Sequence, residues 1–187
     1  MDFEEKTIKR EHIYQGAIID LFLDDVLLPN GKEAKREIIK HPGAVAIAAF
    51  TNDDKMIFVK QYRKALEKVI MEIPAGKIDG ADTEPMDAAK RELEEETGYR
   101  AQIFSHETSF YTAPGFADEI IHLYRAEGLT QVENPLPQDE DEFLELVELS
   151  FEEAWAAYEN QEMCDAKTTC ALLLWKLRRV AESGANN

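Results

Sequence analysis

Four glutamates crowd into the five residues from Glu92 to Glu96, inside a segment that the sequence predicts to be an α-helix. Pro74 and Gly76 stop the strand-like run before this segment, and Gly98 suits the left-handed position that follows a helix. A helix with so much charge on one side is stable only when its other side packs on a core. The fold must therefore supply an apolar surface for one side and a way to neutralise the other.

The four acids do not all share one face of the predicted helix. Each residue advances about 100° around the axis, so Glu92, Glu95 and Glu96 lie together while Glu94 points elsewhere. Like charges at this spacing destabilise a helix by roughly a few tenths of a kcal/mol per pair. Arg91 lies four residues before Glu95 and offsets part of that charge. The neighbouring apolar stripe comprises Met86, Ala89 and Leu93.

A divalent cation on the shared acidic face would offset the repulsion far more than one arginine. Carboxylate oxygens are the ligands of hard ions, so the pattern favours Mg²⁺, with Mn²⁺ as the alternative. A solvated acidic face is the other explanation of a glutamate run, and the residues around the run decide between the two.

Those residues resemble the box of the Nudix hydrolase family, G-x5-E-x7-R-E-U-x-E-E-x-G-U, where U is bulky and apolar. Residues 91–99, RELEEETGY, match its second half. Its first half is one residue longer here, counted from Gly76, and the expected glutamate falls at Thr83. Asp82 and Glu84 on either side are both candidates for that acidic position, while Thr83 and Pro85 are the expected start of the helix.

The resemblance implies a Nudix α/β/α sandwich and metal-dependent hydrolysis of a diphosphate. It implies Glu92, Glu95 and Glu96 as metal ligands, with the backbone carbonyl of Ala75 as a further ligand and Arg91 in the catalytic machinery. Bound metals neutralise a diphosphate and position a water for in-line attack on phosphorus. An acidic site has no means of binding a diphosphate without them.

Further features resemble the bacterial ADP-ribose pyrophosphatase group of this family. Pro114 lies fifteen residues beyond the Tyr99 that ends the box, which is the spacing of that group. Arg63 in KQYR and Glu72 in the following EIPAGKID are implied to bind substrate, and Glu119 in PGFADE to contact metal or substrate. Taken singly, a loop proline, a strand-end arginine and a solvated loop acid are the alternatives.

An acidic stretch near the C-terminal third, QDEDE, matches the loop that brings a general base over the metals in that group. Glu140 and Glu142 are the candidates, and a solvated loop is the alternative. In the group the N-terminal hairpin domain is exchanged between subunits. The resemblance therefore implies a homodimer whose two subunits build the adenine pocket.

The chain is predicted to have an α/β fold in three parts. Residues 1–41 form a small antiparallel β sub-domain, because Asn30-Gly31 is a hairpin signal between two apolar-containing runs. Residues 42–182 form the Nudix domain, with helices over 151–160 and 164–182, and residues 183–187 form a disordered tail.

The net charge of −17 argues against binding to nucleic acid or to anionic membranes, which need clustered cations. No run of 18 apolar residues predicts a membrane span, and the charged N-terminus does not resemble a signal peptide, so a cytoplasmic location is expected. Cys164 and Cys170 are expected to be small core residues in a reducing compartment.

The sequence thus predicts Mg²⁺-dependent hydrolysis of ADP-ribose to AMP and ribose 5-phosphate. Nucleotide sugars or other nucleoside diphosphate derivatives are the alternative substrates, because they share the diphosphate. A sensor that binds ADP-ribose without hydrolysing it is the alternative of another class, and the intact R-E-x-x-E-E run disfavours it.

Overall fold

The computed structural model describes residues 2–138 and 142–185. These residues form two compact units. The first unit comprises the chain up to Gly43 together with Phe110–Ile121, and the second comprises Ala44–Ser109 and the chain from His122 onward. The chain therefore passes from one unit to the other at three points.

The strands and helices follow one another along the described chain in a mixed order. The strands are β1 (Lys6–Gln15), β2 (Asp20–Leu27), β3 (Glu33–Lys40), β4 (Ala44–Ala49), β5 (Met56–Arg63), β6 (Lys68–Glu72), β7 (Ala75–Lys77), β8 (Tyr99–Arg100), β9 (Ile103–Tyr111), β10 (Ile120–Glu127), β11 (Thr130–Gln131) and β12 (Glu145–Leu149). The helices are α1 (Pro85–Thr97), α2 (Phe151–Glu159) and α3 (Ala166–Ala185).

The first unit contains an antiparallel sheet in the order β1-β2-β3. The predicted hairpin lies between β2 and β3, where Gly31 adopts a φ of 79° that favours glycine. Asp24 is buried on β2 and accepts hydrogen bonds from Arg10 Nε at 2.8 Å and Nη2 at 2.6 Å. This guanidinium holds the pKa of Asp24 below its usual value.

The second unit places helices on both faces of a sheet. Alternate side chains of β4 point to opposite faces, as the pleat of a strand requires. Val45 and Ile47 pack with Ala89 and Leu93 of α1 in one buried cluster. Phe50, just after β4, meets Trp175 of α3 edge-on, with ring centroids 5.2 Å apart. The predicted α/β/α arrangement is therefore present.

Three sheets organise the second unit around these helices. The order of the first sheet is β7-β4-β10-β9, and the order of the second is β12-β5-β6. Strands β8 and β11 form a short third sheet beside the end of α1. Strands β4 and β5 belong to different sheets, and an isolated antiparallel bridge joins Phe50 and Met56 at the turn between them.

The ends of α1 match the prediction except at the N-cap, since the helix begins at Pro85 as expected. Gly98 closes the helix at a φ of 71°, and its N–H donates to Glu94 O. At the other end Glu84, not Thr83, occupies the N-cap, without a side-chain capping bond. The prediction of Thr83 was wrong because its hydroxyl bonds the side chain of Asp87 instead of a backbone N–H.

The C-terminal helices follow the prediction with shifted ends. Helix α2 begins at a capping box formed by Ser150 and Glu153. Helix α3 continues through Ala185, so residues 183–185 of the predicted disordered tail are helical. The core placement of the cysteines was wrong: Cys164 is exposed before α3, and Cys170 is half-buried within it. None of the described helices is long and apolar enough to cross a bilayer.

Candidate active site

A short segment after β6 brings the backbone against the acidic face of α1. Strand β7 pairs with β4, and Gly76 lies opposite Val45. A Cβ at Gly76 would lie 2.0 Å from the carboxyl carbon of Glu92. Only glycine therefore lets the backbone and this carboxylate approach so closely.

Arg91 ties the acidic face of α1 to the loop before the helix. Its Nη1 donates to Glu92 Oε1 and to Glu95 Oε2, both at 2.8 Å. Its Nη2 donates to Asp82 Oδ2 at 3.0 Å and to Lys77 O at 3.1 Å. Of the two acids that flank Thr83, Asp82 is thus the one that joins this network.

Glu96 is the least neutralised of the helix carboxylates. Its side chain is buried, and within the described residues it accepts one hydrogen bond, from Ala75 N at 3.2 Å. Burial, together with the nearby carboxylates of Glu142 and Glu92, raises its pKa well above the usual value. Ala75 therefore contacts the acidic face through its N–H.

Glu92 shares this environment. Burial raises its pKa to about 7, although Arg91 acts in the opposite direction. The carboxylates of Glu95 and Glu142 add to the rise. A bound counter-charge stabilises a buried carboxylate most when few positively charged side chains already contact that carboxylate.

The donor set fits a hard divalent cation. Across residues 2–138 and 142–185, no three acidic, histidine or cysteine side chains already stand in a metal-binding arrangement. Instead Glu92 is held by Arg91, and Glu96 is held by the N–H of Ala75. Carboxylates that are buried beside one another gain from bound positive charge, and carboxylate oxygen is the ligand type of a hard divalent cation.

A second group of charges lies beside Glu96. Glu72, at the end of β6, is 1% exposed. Its Oε1 accepts from Arg63 Nε at 2.6 Å, and its Oε2 accepts from Lys167 Nζ. Arg63 in turn lies close enough to Glu96 for that carboxylate to raise its pKa. The structure therefore brings Arg63 and Glu72 together next to the acidic face.

Lys167 was missed by the sequence reasoning. It stands in DAKT, a stretch that resembles the same group, but its place in the sequence gives no sign of contact with Glu72, 95 residues earlier. Only the packing of α3 against the end of β6 reveals it.

Glu94 lies away from this face, as its position on the helix predicts. It accepts from Arg100 Nε at 2.5 Å and from Nη2 at 2.8 Å. The guanidinium lowers the pKa of Glu94. Its neighbour Leu136 also donates a backbone N–H to it at 3.3 Å.

The remaining predicted residues fall into three groups. Pro114 and Glu119 belong to the first unit, where Glu119 Oε2 accepts from Thr112 at 2.5 Å and Oε1 lies 3.7 Å from His41 Nε2. Glu142 belongs to the second unit and lies within electrostatic range of Glu92 and Glu96. Glu140 lies outside the described residues.

The comparisons of this chain with known proteins agree on one family. The NUDIX domain model matches residues 40–172, and the nucleoside diphosphate sugar hydrolase N-terminal domain model matches residues 5–39. The chain is 52% identical to the ADP-ribose pyrophosphatase of Bacillus subtilis over 180 residues, covering 96% of this chain and 97% of that protein. It is also 52% identical to the methanol dehydrogenase activator of Bacillus methanolicus, covering 94% and 95% of the two chains.

The fold has a close counterpart among solved structures. The crystal structure of an ADP compounds hydrolase superposes with a TM-score of 0.84 and covers 97% of this chain and 98% of that chain. Its sequence identity is 21%, so this likeness concerns the fold alone.

Proposed function

Because this chain belongs to the Nudix family of hydrolases, we propose that it hydrolyses the diphosphate of ADP-ribose, with Mg²⁺, to AMP and ribose 5-phosphate. Nudix hydrolases generally use divalent metal ions. The observation that carries the proposal is the buried pair Glu92 and Glu96, which lacks sufficient counter-charge and stands beside Arg63. A divalent cation that the carboxylates and the diphosphate share would supply that charge. The similarity to the Bacillus subtilis ADP-ribose pyrophosphatase supports the choice of substrate.

Each residue of the acidic face has a distinct part in this proposal. Glu92, Glu95 and Glu96, with the backbone carbonyl of Ala75, would hold the metal. The bound metal neutralises the diphosphate and lowers the pKa of a water. Arg91 keeps Glu92 and Glu95 in place through its 2.8 Å hydrogen bonds.

Arg63 and Glu142 act on the substrate and on the water. Arg63 binds a phosphate oxygen with the N–H groups that Glu72 leaves unused. Glu142 accepts the proton of the attacking water, as the oxygen of that water bonds to phosphorus and the bridging P–O bond breaks. Its closeness to Glu92 and Glu96 supports Glu142, while Glu140 stays a candidate from sequence alone. Pro114 and Glu119 are proposed to contact the substrate on the basis of the resemblance.

The testing experiment measures turnover of ADP-ribose with Mg²⁺, with and without EDTA, beside a panel of nucleotide sugars. EDTA-sensitive release of AMP and ribose 5-phosphate, faster than any turnover in the panel, is expected. Turnover of the panel without turnover of ADP-ribose would refute the substrate and keep the metal chemistry. Tight binding of ADP-ribose without any turnover would favour a sensor.

Nucleotide sugars are the second candidate substrates. The match of residues 5–39 to the nucleoside diphosphate sugar hydrolase N-terminal domain favours them. They share the diphosphate, so the acidic face and Arg63 would act on them in the same way. The relative rates in the same panel separate the two candidates.

We further propose a cytoplasmic homodimer in which residues 1–41, a sub-domain distinct from the Nudix domain at 42–182, form the contact. All ten residues of β1 are exposed, including the apolar Ile8, Ile13 and Tyr14. An edge strand of this length that exposes apolar side chains among its polar ones offers a surface for a second chain. Light scattering should give twice the mass of the chain, and a monomer at micromolar concentration would refute the dimer.

A further inference from the structure

Lys167 belongs to a buried charge cluster that ends at Arg63, and the proposed reaction gives this lysine no role. It is 8% exposed, although a lysine ammonium is costly to bury without partners. Its Nζ donates to Glu72 Oε2 and to Asp165 Oδ2, the second at 3.0 Å. Glu72 carries Arg63 on its other oxygen. The cluster is therefore a chain of alternating charges that runs from the start of α3 to Arg63.

The start of α3 is fixed to the same short stretch by a second contact. Ile73 N donates to Thr168 Oγ1 at 3.0 Å. Asp165 Oδ2 also accepts from Thr168 N at 3.1 Å, as a residue before a helix does. The residues Asp165 to Thr168 thus hold Glu72 and Ile73 directly before the segment that meets Glu92 and Glu96.

Glu72 accepts from Arg63 through one carboxylate oxygen and from Lys167 through the other, which leaves part of the Arg63 guanidinium available for a ligand. Arg63 uses only Nε on Glu72 Oε1, and its two Nη groups make no other hydrogen bond within the described residues. Its side chain is 41% exposed, whereas that of Glu72 is 2% exposed. The guanidinium is therefore anchored through Nε, while the side chain keeps partial access to solvent.

We infer that Lys167 is a positioning residue: by occupying Glu72 Oε2, it prevents Arg63 from binding Glu72 through both oxygens, and so keeps both Nη groups of Arg63 for a substrate phosphate. A guanidinium beside a free carboxylate prefers two parallel N–H···O bonds. Without Lys167, Oε2 loses its cation, and Arg63 turns to bind both oxygens through Nε and one Nη. One donor to the diphosphate is then lost. This inference rests on the proposed role of Arg63 in binding the diphosphate.

The test is a double-mutant cycle on the full chain with ADP-ribose and Mg²⁺. Lys167→Met should raise KM about tenfold, the effect of one lost charge-assisted hydrogen bond of about 1.4 kcal/mol, and change kcat by less than about threefold. Arg63→Ala should raise KM at least as much. The double variant should be no worse than Arg63→Ala, because Lys167 acts through Arg63. Losses that multiply in the double variant, or an unchanged KM in Lys167→Met, would overturn the inference.

Three further variants separate positioning from simple stability. Lys167→Arg keeps a cation on Glu72 Oε2 and should retain a KM within about threefold of the wild type. Arg178→Met is the matched control, because Arg178 of α3 likewise pairs with a largely buried acid, Glu107, and should leave KM unchanged. If Lys167→Met does not fold, Lys167→Gln tests the inference on its own: its amide still donates to Glu72 Oε2, so KM should stay within about threefold of the wild type, and a tenfold rise would overturn the inference.

The cycle also distinguishes this inference from the choice of substrate. If the wild type hydrolyses a nucleotide sugar and not ADP-ribose, the proposed substrate fails. The same cycle is then run with that nucleotide sugar, because Arg63 acts on the shared diphosphate. The coupling between Lys167 and Arg63 in KM then decides the inference independently.

Discussion

Glu94 and Glu96 lie two residues apart on α1 and are almost equally buried, at 5% and 3% exposed. Their surroundings are opposite. Glu94 receives two hydrogen bonds from Arg100, which lower its pKa. Glu96 receives one backbone N–H and faces the carboxylates of Glu142 and Glu92, and its pKa is raised. The same residue type on one helix is thus neutralised by the fold on one side and left short of positive charge on the other.

This difference supports the proposal that the side of the helix with Glu96 is the functional one. A buried carboxylate that the fold already pairs with a cation is part of the structure, and its removal is felt in stability. A buried carboxylate without such a partner costs stability unless a ligand supplies the charge. The comparison therefore predicts opposite phenotypes for two conservative substitutions on one helix.

The largest expected effect is on turnover. Glu96→Gln should reduce kcat for ADP-ribose to below about 1% of the wild type, since a neutral amide is a poor ligand for Mg²⁺. Steady-state kinetics at saturating Mg²⁺ measures this. Glu94→Gln, the matched change two residues away, should retain kcat within about threefold. Near-normal turnover of Glu96→Gln would remove the metal role of this face.

The next effect is stabilisation by the cation. Ligand that binds only the folded state stabilises it by about 2.7 kcal/mol at one hundred times its Kd. For a chain of this size that corresponds to roughly 5–10 °C in Tm. Thermal unfolding with and without Mg²⁺ should show such a rise in the wild type and in Glu94→Gln. A similar rise in Glu96→Gln would place the bound cation elsewhere.

The acidic face of α1 shows which features of the candidate site could be predicted from the sequence alone. The spacing of Glu92, Glu95 and Glu96 predicted their shared face, because helix geometry is local and regular. The Gly98 end was predictable for the same reason. The position of Pro85 in the first turn was predicted as well. The N-cap was not, because the extra residue in the loop before the helix leaves several side chains able to bond one another, and Thr83 bonds Asp87 instead of capping.

Contacts between distant parts of the sequence could not be predicted from local sequence patterns. Arg100 follows Glu94 by six residues and is found only through the turn at Gly98. Lys167 reaches Glu72 only because α3 packs against the end of β6. The sequence indicated which residue types hold the charge of the site, whereas the cations that orient them depend on tertiary packing.

A smaller effect is expected on the stability of the paired side. Glu94→Gln should lower the free energy of unfolding by about 1–2 kcal/mol, since the buried acceptor loses its charge-assisted bonds. Arg100 is largely exposed, so its own charge returns to water without a further large cost. Urea unfolding without metal measures this. In the same assay Glu96→Gln should be as stable as the wild type or more stable. If it instead loses as much stability as Glu94→Gln, the Glu94 and Glu96 sides of α1 do not differ as proposed.

The last expected effect is gradual, with a slope of about 1 kcal/mol per pH unit, and concerns the pH dependence of stability without metal. The pKa of Glu92 is about 7 in the folded state, above the unfolded value of about 4.3. Between these two pH values the folded state therefore binds more protons than the unfolded state. The free energy of unfolding consequently falls as the pH rises from about 4.3 to about 7. The folded pKa of Glu94 is lowered, so its contribution is present above about pH 4.3 and is lost as pH falls through its folded value. Urea midpoints from pH 3 to 8 in EDTA should therefore decline on both sides of a maximum. Saturating Mg²⁺ should abolish the decline toward neutral pH, because it holds the carboxylates of the acidic face ionised. It should leave the acid side in place, because that side comes from carboxylates that the fold pairs with cations elsewhere, such as Glu94 and Asp24. A neutral decline that persists with Mg²⁺ would show that the raised pKa values do not belong to the cation site.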